Sequence, residues 1–233
     1  MAAAIDSLQS KVTRLAEGLG LVFDMDGVLV DSNPIHCEAW EIFNRRYGVE
    51  TTDAMRQSMY GKRNDEIVRE FFGVTLTPEE VGARGAAKEA LYREMIGGRI
   101  EEMLVPGVKE FLTGHHGELM AVASNAEPAN VDFVLDGAGL RSFFRVVVNG
   151  HQVRRPKPHP ELYLRVAQLL QVHPANCLVF EDSFHGVEAA RAAGTRVIGV
   201  RTTHSDLPGA DLAIDSFRNS ELEPWLQSQR PVA

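Results

Sequence analysis

Hydrophobic and polar positions follow two regimes along this chain. After Gly107, short runs that are apolar nearly throughout, at 119–123, 146–148, 178–180 and 197–200, are separated by segments of helical periodicity that start at Pro128, Pro160 and Phe184. Runs of this kind suit strands covered on both faces, and their alternation with helices predicts a parallel sheet wrapped by helices. Leu21, Val22 and Phe23 have the same character and join them as a first strand. Between Asn33 and about Arg99 the alternation stops and three helical segments follow one another, at 35–47, 65–72 and 78–96. The expected fold is therefore α/β: a doubly wound parallel sheet built from residues 18–32 and 100–233, with a small helical cap of residues 33–99 inserted. Gly97 and Gly98 on one side, and Val105, Pro106 and Gly107 on the other, suit the hinges of such an insert. Ahead of the sheet, Ile5, Leu8, Val12 and Leu15 recur at roughly helical spacing, so residues 1–17 are expected to form a short amphipathic helix.

Composition narrows the function classes. With 233 residues, 44% of them hydrophobic and 24% charged, the chain can bury a sizeable core, and a disordered reading fails. A formal net charge of -8 argues against a nucleic-acid partner or a basic membrane-surface role, because either needs a positive field. No apolar stretch reaches transmembrane length, and the N-terminal apolar run is too short for a signal peptide. Cys37 and Cys177 lie far apart without metal-ligand spacing, which reads as packing thiols in a reducing compartment. The expectation is a cytoplasmic protein, monomeric by default, whose partner is a small molecule.

The chemistry gathers where the strands end. In open parallel sheets, ligands bind beyond the carboxyl ends of the strands. The first strand runs into Asp24-Met25-Asp26-Gly27 and the second into Ser124-Asn125. The third leads to a loop holding Lys157 between two prolines, and the fourth ends in Glu181-Asp182-Ser183. Four carboxylates, a hydroxyl and a lysine thus converge on one rim. Crowded carboxylates raise one another's pKa unless a cation neutralises them, and oxygen-only ligands select a hard ion such as Mg²⁺. With Mg²⁺ and Lys157 present, the rim of an acidic protein becomes a cradle for a phosphoryl group.

These residues carry a resemblance. DMDGV at 24–28, Ser124 after a strand, Lys157 in PKPHP and FEDS at 180–183 resemble the four motifs of the haloacid dehalogenase superfamily, in that order, with its Rossmann-like core. The helical insert directly after the first motif resembles the cap of the branch that holds β-phosphoglucomutase and sugar-phosphate phosphatases. The resemblance implies that Asp24 is the nucleophile on phosphorus and Asp26 the general acid and base. It implies Mg²⁺ on Asp24, the backbone carbonyl of Asp26, Asp182 and, as a further ligand, Glu181. Ser124, with Asn125 beside it, would grip phosphoryl oxygens and Lys157 would neutralise charge. Gly27 would let the backbone turn beneath a phosphate. Asp31 and Ser32 read as the doorway to the cap rather than as chemistry, and Ser124 doubles as a candidate N-cap ahead of Pro128.

In the cap, His36 and Trp40 resemble an HxxxW pair of the mutase, and Lys88 resembles a cap lysine of the same branch; packing and snorkelling are the plain alternatives for Trp40 and Lys88. Arg63 is expected to touch substrate, although the mutase's phosphate-gripping arginine falls three residues after the cap-loop glycine, where this chain has Asn64. After Ser124, NAEPAN lacks the Ser-Lys-Asn run of the mutase. His159 has no account at this level. The activity implied is Mg²⁺-dependent hydrolysis of a small phosphorylated metabolite, a sugar phosphate, through an aspartyl-phosphate. A phosphoglucomutase is the alternative, with a sugar hydroxyl in place of water. A phospho-receiver and a non-catalytic binding protein fit less well, the first because its acceptor aspartate follows a middle strand in a shorter, capless chain. A dehalogenase acting on carbon lacks a counterpart of Asp26.

Overall fold

The apolar runs line up side by side in one sheet of a computed structural model that describes residues 18–230; the helix expected over 1–17 lies outside them. The strands are β1 (Gly20–Phe23), β2 (Leu119–Ala123), β3 (Val146–Val148), β4 (Cys177–Glu181), β5 (Arg196–Val200) and β6 (Leu212–Ile214). All neighbours are parallel, in the order β3-β2-β1-β4-β5-β6. The chain winds outward from β1 to β3 and then crosses back to β4, so the winding reverses between β1 and β4 and leaves a crevice at their carboxyl ends. β6 is absent from the hydropathy reading because its Leu212-Ala213-Ile214 run is short, has no β-branched residue before Ile214 and is hemmed in by Asp211 and Asp215.

Alternate residues of each strand face opposite sides. On one side Phe23 and Phe180 stack with ring centroids 4.6 Å apart, and Phe111 and Phe217 pack against them. This side is covered by α5 (Val108–Gly114), α6 (Pro128–Gly137) and α9 (Leu222–Ser228). On the other side Val22, Ala121 and Val179 meet α7 (Glu161–Leu170) and α8 (Phe184–Ala192). Both faces are thus buried, which is why the strands read as continuous apolar runs.

Residues 33–96 form α1 (Asn33–Arg46), α2 (Asp53–Ser58), α3 (Asn64–Phe72) and α4 (Pro78–Ile96). The longest, α4, starts with a reciprocal capping box between Thr77 and Glu80 and a proline in its first turn. It packs on α1 and α3, and Trp40 meets Phe43 and Phe71 edge to face. The helices α2, α5 and α9, six or seven residues each, are too short to show a period and go unannounced in the sequence. The two connections to the sheet run side by side as an antiparallel bridge between Val30 and Leu104. The Asp31 N–H donates to Met103 O at 2.8 Å and the Val105 N–H to Leu29 O at 3.1 Å. The helices therefore stand over the carboxyl ends of β1 and β4 on a paired stem.

Phe23 is fully buried at the centre of this aromatic stack. Phe23→Ala should lower the unfolding free energy by about 3–5 kcal/mol through lost burial and an unfilled cavity. Urea denaturation would show the midpoint falling at unchanged slope, and a loss below about 1 kcal/mol would mean the stack is not the core's anchor.

Candidate active site

Parallel register sets the first contact of the site. Phe23 pairs with Phe180, and one step further the Asp24 N–H donates to Phe180 O at 3.0 Å, so Asp24 emerges beside Glu181 and Asp182. All three acids are buried, and one oxygen from each lies within 4.8 Å of the others. Glycine makes this approach feasible in two places. Gly27 has φ +81°, and a Cβ there would sit 1.9 Å from Asp182 Oδ2, so a side chain would drive the two loops apart. The expected close approach to a phosphate is thus first a close approach to a carboxylate. At Gly186, in the first turn of α8, a Cβ would fall 1.9 Å from the Glu181 carboxyl carbon.

Lys157 holds the acids together. Its ammonium is 2.8 Å from Asp24 Oδ1 and 2.5 Å from Glu181 Oε1, and it lies over the Tyr163 ring at 5.2 Å. Burial alone would lower the pKa of Lys157; Asp24 and Glu181 outweigh it and hold the pKa above the ordinary lysine value. Glu181 also accepts from the Tyr163 hydroxyl, the Ser183 hydroxyl and the Asp182 N–H. It is the most heavily engaged acid of the site, with the Asp182 carboxylate the freer ligand beside Asp24. Asp182 Oδ2 accepts from Asn33 Nδ2 at 2.9 Å and from the Thr203 hydroxyl.

Two acids lack sufficient positive charge. Burial, then Glu181, push the Asp24 carboxyl up to about 7 against the pull of Lys157. Burial, Glu181 and Asp24 likewise push Asp182 well above the usual carboxylate range. A buried all-oxygen cluster that cannot stay ionised unaided fits a hard divalent cation, and the donor set suits Mg²⁺.

Asp26 turns the other way, toward the inserted helices. Ser32 Oγ donates to Asp26 Oδ1 at 2.6 Å, and His36 Nε2 lies 3.3 Å from the same oxygen. Lys88 Nζ is 2.7 Å from His36 Nδ1. An ammonium can only donate, so Nδ1 accepts and the ring proton sits on Nε2, aimed at Asp26. His36 is clamped against Tyr92, with ring centroids 3.7 Å apart. Although burial opposes its charge, His36 and Ser32 keep the Asp26 carboxyl below the usual range. Lys88 does not snorkel: it is buried, with its ammonium 4.9 Å from the Trp40 ring and 2.8 Å from Glu89 Oε1.

Other expectations resolve as follows. Ser124 is buried at the end of β2, but Glu127 is the N-cap of α6, and Ser124 Oγ instead accepts from the Ala126 N–H at 3.0 Å, closing a tight turn. Asn125 bridges two loops: its Nδ2 donates to Gly61 O at 2.7 Å, and its Oδ1 faces the Lys157 N–H at 3.4 Å. Arg63 departs from its expected place. It does not line the pocket that holds Asp24, Asp26 and Lys157. Its guanidinium is tied to Asp65 at 2.6 Å and to Gly150 O at 3.1 Å, because the carboxylate two residues on captures it. His159 gains an account, since its Nδ1 accepts from the Glu161 N–H at 3.1 Å and satisfies a free donor at the start of α7. Asp31 stays outside the pocket; Ser32 belongs to the site through Asp26. Tyr92, Glu89, Asn130 and Tyr163 are unannounced in sequence, whereas Thr203 could have been found by looking past the end of β5, as for the other strands.

Buried acids and a buried lysine gathered at a topological switch point define an enzyme site of the doubly wound α/β class. The chain belongs to the haloacid dehalogenase-like hydrolases, a family that matches residues 20–194, from β1 to just past α8. Over 183 residues it is 33% identical to fructose-1-phosphate phosphatase YqaB of Escherichia coli, covering 78% of this chain and 96% of that one. Over 187 residues it is 33% identical to the phosphorylated carbohydrates phosphatase of Thermotoga maritima, covering 77% and 84%. The crystal structure of β-phosphoglucomutase from Clostridium difficile superimposes with a TM-score of 0.82 at 24% identity, over 91% of this chain and 97% of that one, a likeness of fold.

The raised Asp24 carboxyl fixes a sign for stability. The metal-free folded state keeps a proton that the unfolded chain loses near 3.8, so the benefit present below that pH disappears as pH rises toward about 7. In EDTA, Tm should fall between pH 5 and pH 7.5, and millimolar Mg²⁺ should restore it at pH 7.5. Asp24→Asn should flatten both responses. A wild-type Tm indifferent to Mg²⁺ at pH 7.5 would remove the metal site.

Proposed function

We propose that this chain is a Mg²⁺-dependent phosphomonoester hydrolase acting on a small phosphorylated metabolite, a sugar phosphate, through an aspartyl-phosphate. The observation that carries the reading is the division of labour between two aspartates two residues apart: Asp24 faces Lys157 and the acid cluster, Asp26 faces Ser32 and His36. The two phosphatases at 33% identity support the substrate class. In this reading residues 18–32 and 100–233 form the catalytic domain and residues 33–99 its cap.

The chemistry follows from where the groups point. Asp26, ionised at rest, first takes a proton from solvent; an Asp24 oxygen attacks phosphorus, the bond to the substrate oxygen breaks, and that oxygen takes the proton from Asp26. A water then attacks the aspartyl-phosphate and gives a proton to Asp26, while the bond between phosphorus and Asp24 breaks. Lys157, Ser124 and Asn125 hold the phosphoryl oxygens in line and offset their charge. Asp24, Asp182 and the Asp26 carbonyl, with Glu181 beside them, would hold Mg²⁺, which would supply electrostatic stabilisation of the same oxygens.

Water, rather than a sugar hydroxyl, is the acceptor because the far side of the pocket lacks a second phosphate clamp. Arg63 is held on Asp65 and a backbone carbonyl, and NAEPAN after Ser124 lacks the Ser-Lys-Asn run of the mutase. Both thiols are unpaired, in keeping with a reducing cytoplasm, and no helix among the described residues is long and apolar enough to cross a membrane. Each group in the scheme comes from one chain, so a monomer suffices.

Purified protein with Mg²⁺ should release phosphate from sugar phosphates and show no interconversion of glucose 1-phosphate and glucose 6-phosphate. Asp24→Asn should abolish release, and Asp26→Asn should lower kcat by about 10²–10⁴. Phosphate release at the wild-type rate by Asp24→Asn would sink the assignment, and interconversion faster than release would make the enzyme a mutase.

A further inference from the structure

The wall of the pocket formed by the inserted helices and α6 carries a buried acid with no part in the scheme above. Glu89, on α4, is almost fully buried and lines the same pocket as Asp24 and Lys157. Its Oε1 accepts from Lys88 Nζ and Asn64 Nδ2, both at 2.8 Å, and its Oε2 accepts from Asn130 Nδ2 at 2.5 Å. Three donors on three helices therefore converge on one carboxylate. The Lys88 ammonium, His36 and the Asn130 amide outweigh burial and hold it at about 2, so it is an anion at any working pH.

Every cation on or beside this wall is matched by an acid. Lys62 meets Glu70 at 2.6 Å, Arg63 meets Asp65 at 2.6 Å, Lys88 meets Glu89 at 2.8 Å and Arg93 meets Glu127 at 2.7 Å. What remains to greet a ligand is amide groups and the apolar faces of Trp40 and Ile67, with no unmatched cation among them. Amides are good partners for hydroxyl groups, whereas a second anion placed here would be desolvated without a free cation to receive it.

We infer that Glu89 is a specificity-determining residue that admits a neutral, polyhydroxylated leaving group and rejects substrates bearing a second phosphate or a carboxylate. The inference rests on the phosphatase reading. It adds that the cap-side wall is built to exclude charge, with Glu89 cancelling Lys88 so that the lysine can serve His36 without recruiting an anion.

Matched pairs test it: fructose 1-phosphate against fructose 1,6-bisphosphate, and glycerol 3-phosphate against 3-phosphoglycerate, with kcat/KM measured on the Mg²⁺-loaded wild type and on Glu89→Gln. In each cleaved pair the wild type should favour the neutral member by at least about tenfold. Glu89→Gln uncovers the Lys88 charge and should shrink that preference about tenfold, chiefly through a lower KM for the anionic member. A purely structural role for Glu89 would depress both members alike and leave their ratio unmoved, and that result overturns the inference. So does a wild type that cleaves the anionic members as fast as the neutral ones, a measurement that holds even where Glu89→Gln fails to fold. A wild type that cleaves no phosphomonoester would instead take down the phosphatase reading and this one with it.

Discussion

The contact of the Lys157 ammonium with Asp24 and Glu181, out of reach of solvent, is the constraint around which the sheet is organised. Moving three such charges from water is costly, and pairing repays the cost only with good geometry and further hydrogen bonds. The register of β1 on β4 brings the two acids alongside each other, and Tyr163 and Ser183, the N-cap of α8, donate to Glu181. Gly27 and Gly186 are the residues without which the loops could not close on these carboxylates. The net excess of acid that remains leaves Asp24 and Asp182 short of positive charge, a cluster that suits a hard divalent cation.

Asp26 connects this rigid floor to the inserted helices. Its oxygen is shared by Ser32 and His36, and His36 leads through Lys88 to Glu89 and on to Asn130 in the sheet domain. The second aspartate is therefore oriented by residues from the roof as well as from the stem. Other ties across the same boundary are polar and dispersed: Asn125 to Gly61 O, His185 to Tyr60 O, Arg93 to Glu127. Single contacts of this kind are each worth little.

Charge matching explains how an acidic protein handles an anion. At the floor Lys157 is shared between Asp24 and Glu181 with acid left over, and on the roof positive charge is cancelled pair by pair. The two ends of the pocket thus present different chemistry, buried acids around a lysine at one end and amides, apolar side chains and paired charges at the other.

Much of this was legible in the order of residues. Strands buried on both faces announce themselves as unbroken apolar runs, and the acids, serine and lysine that follow them stand at strand ends whatever the details of packing, so Asp24, Asp26, Ser124, Lys157, Glu181 and Asp182 could be read as one rim. The insert could be read too, because three helices in succession interrupt an alternating pattern. Side-chain direction could not. Arg63 turns to a nearby carboxylate and a carbonyl from another loop, Lys88 is buried against Trp40 instead of reaching for water, and Ser32 bonds Asp26 instead of capping its helix. Periodicity encodes which face of an element is apolar, since that follows from local backbone geometry, whereas the partner of a long or small polar side chain is chosen by groups far away in sequence that folding brings within hydrogen-bond reach.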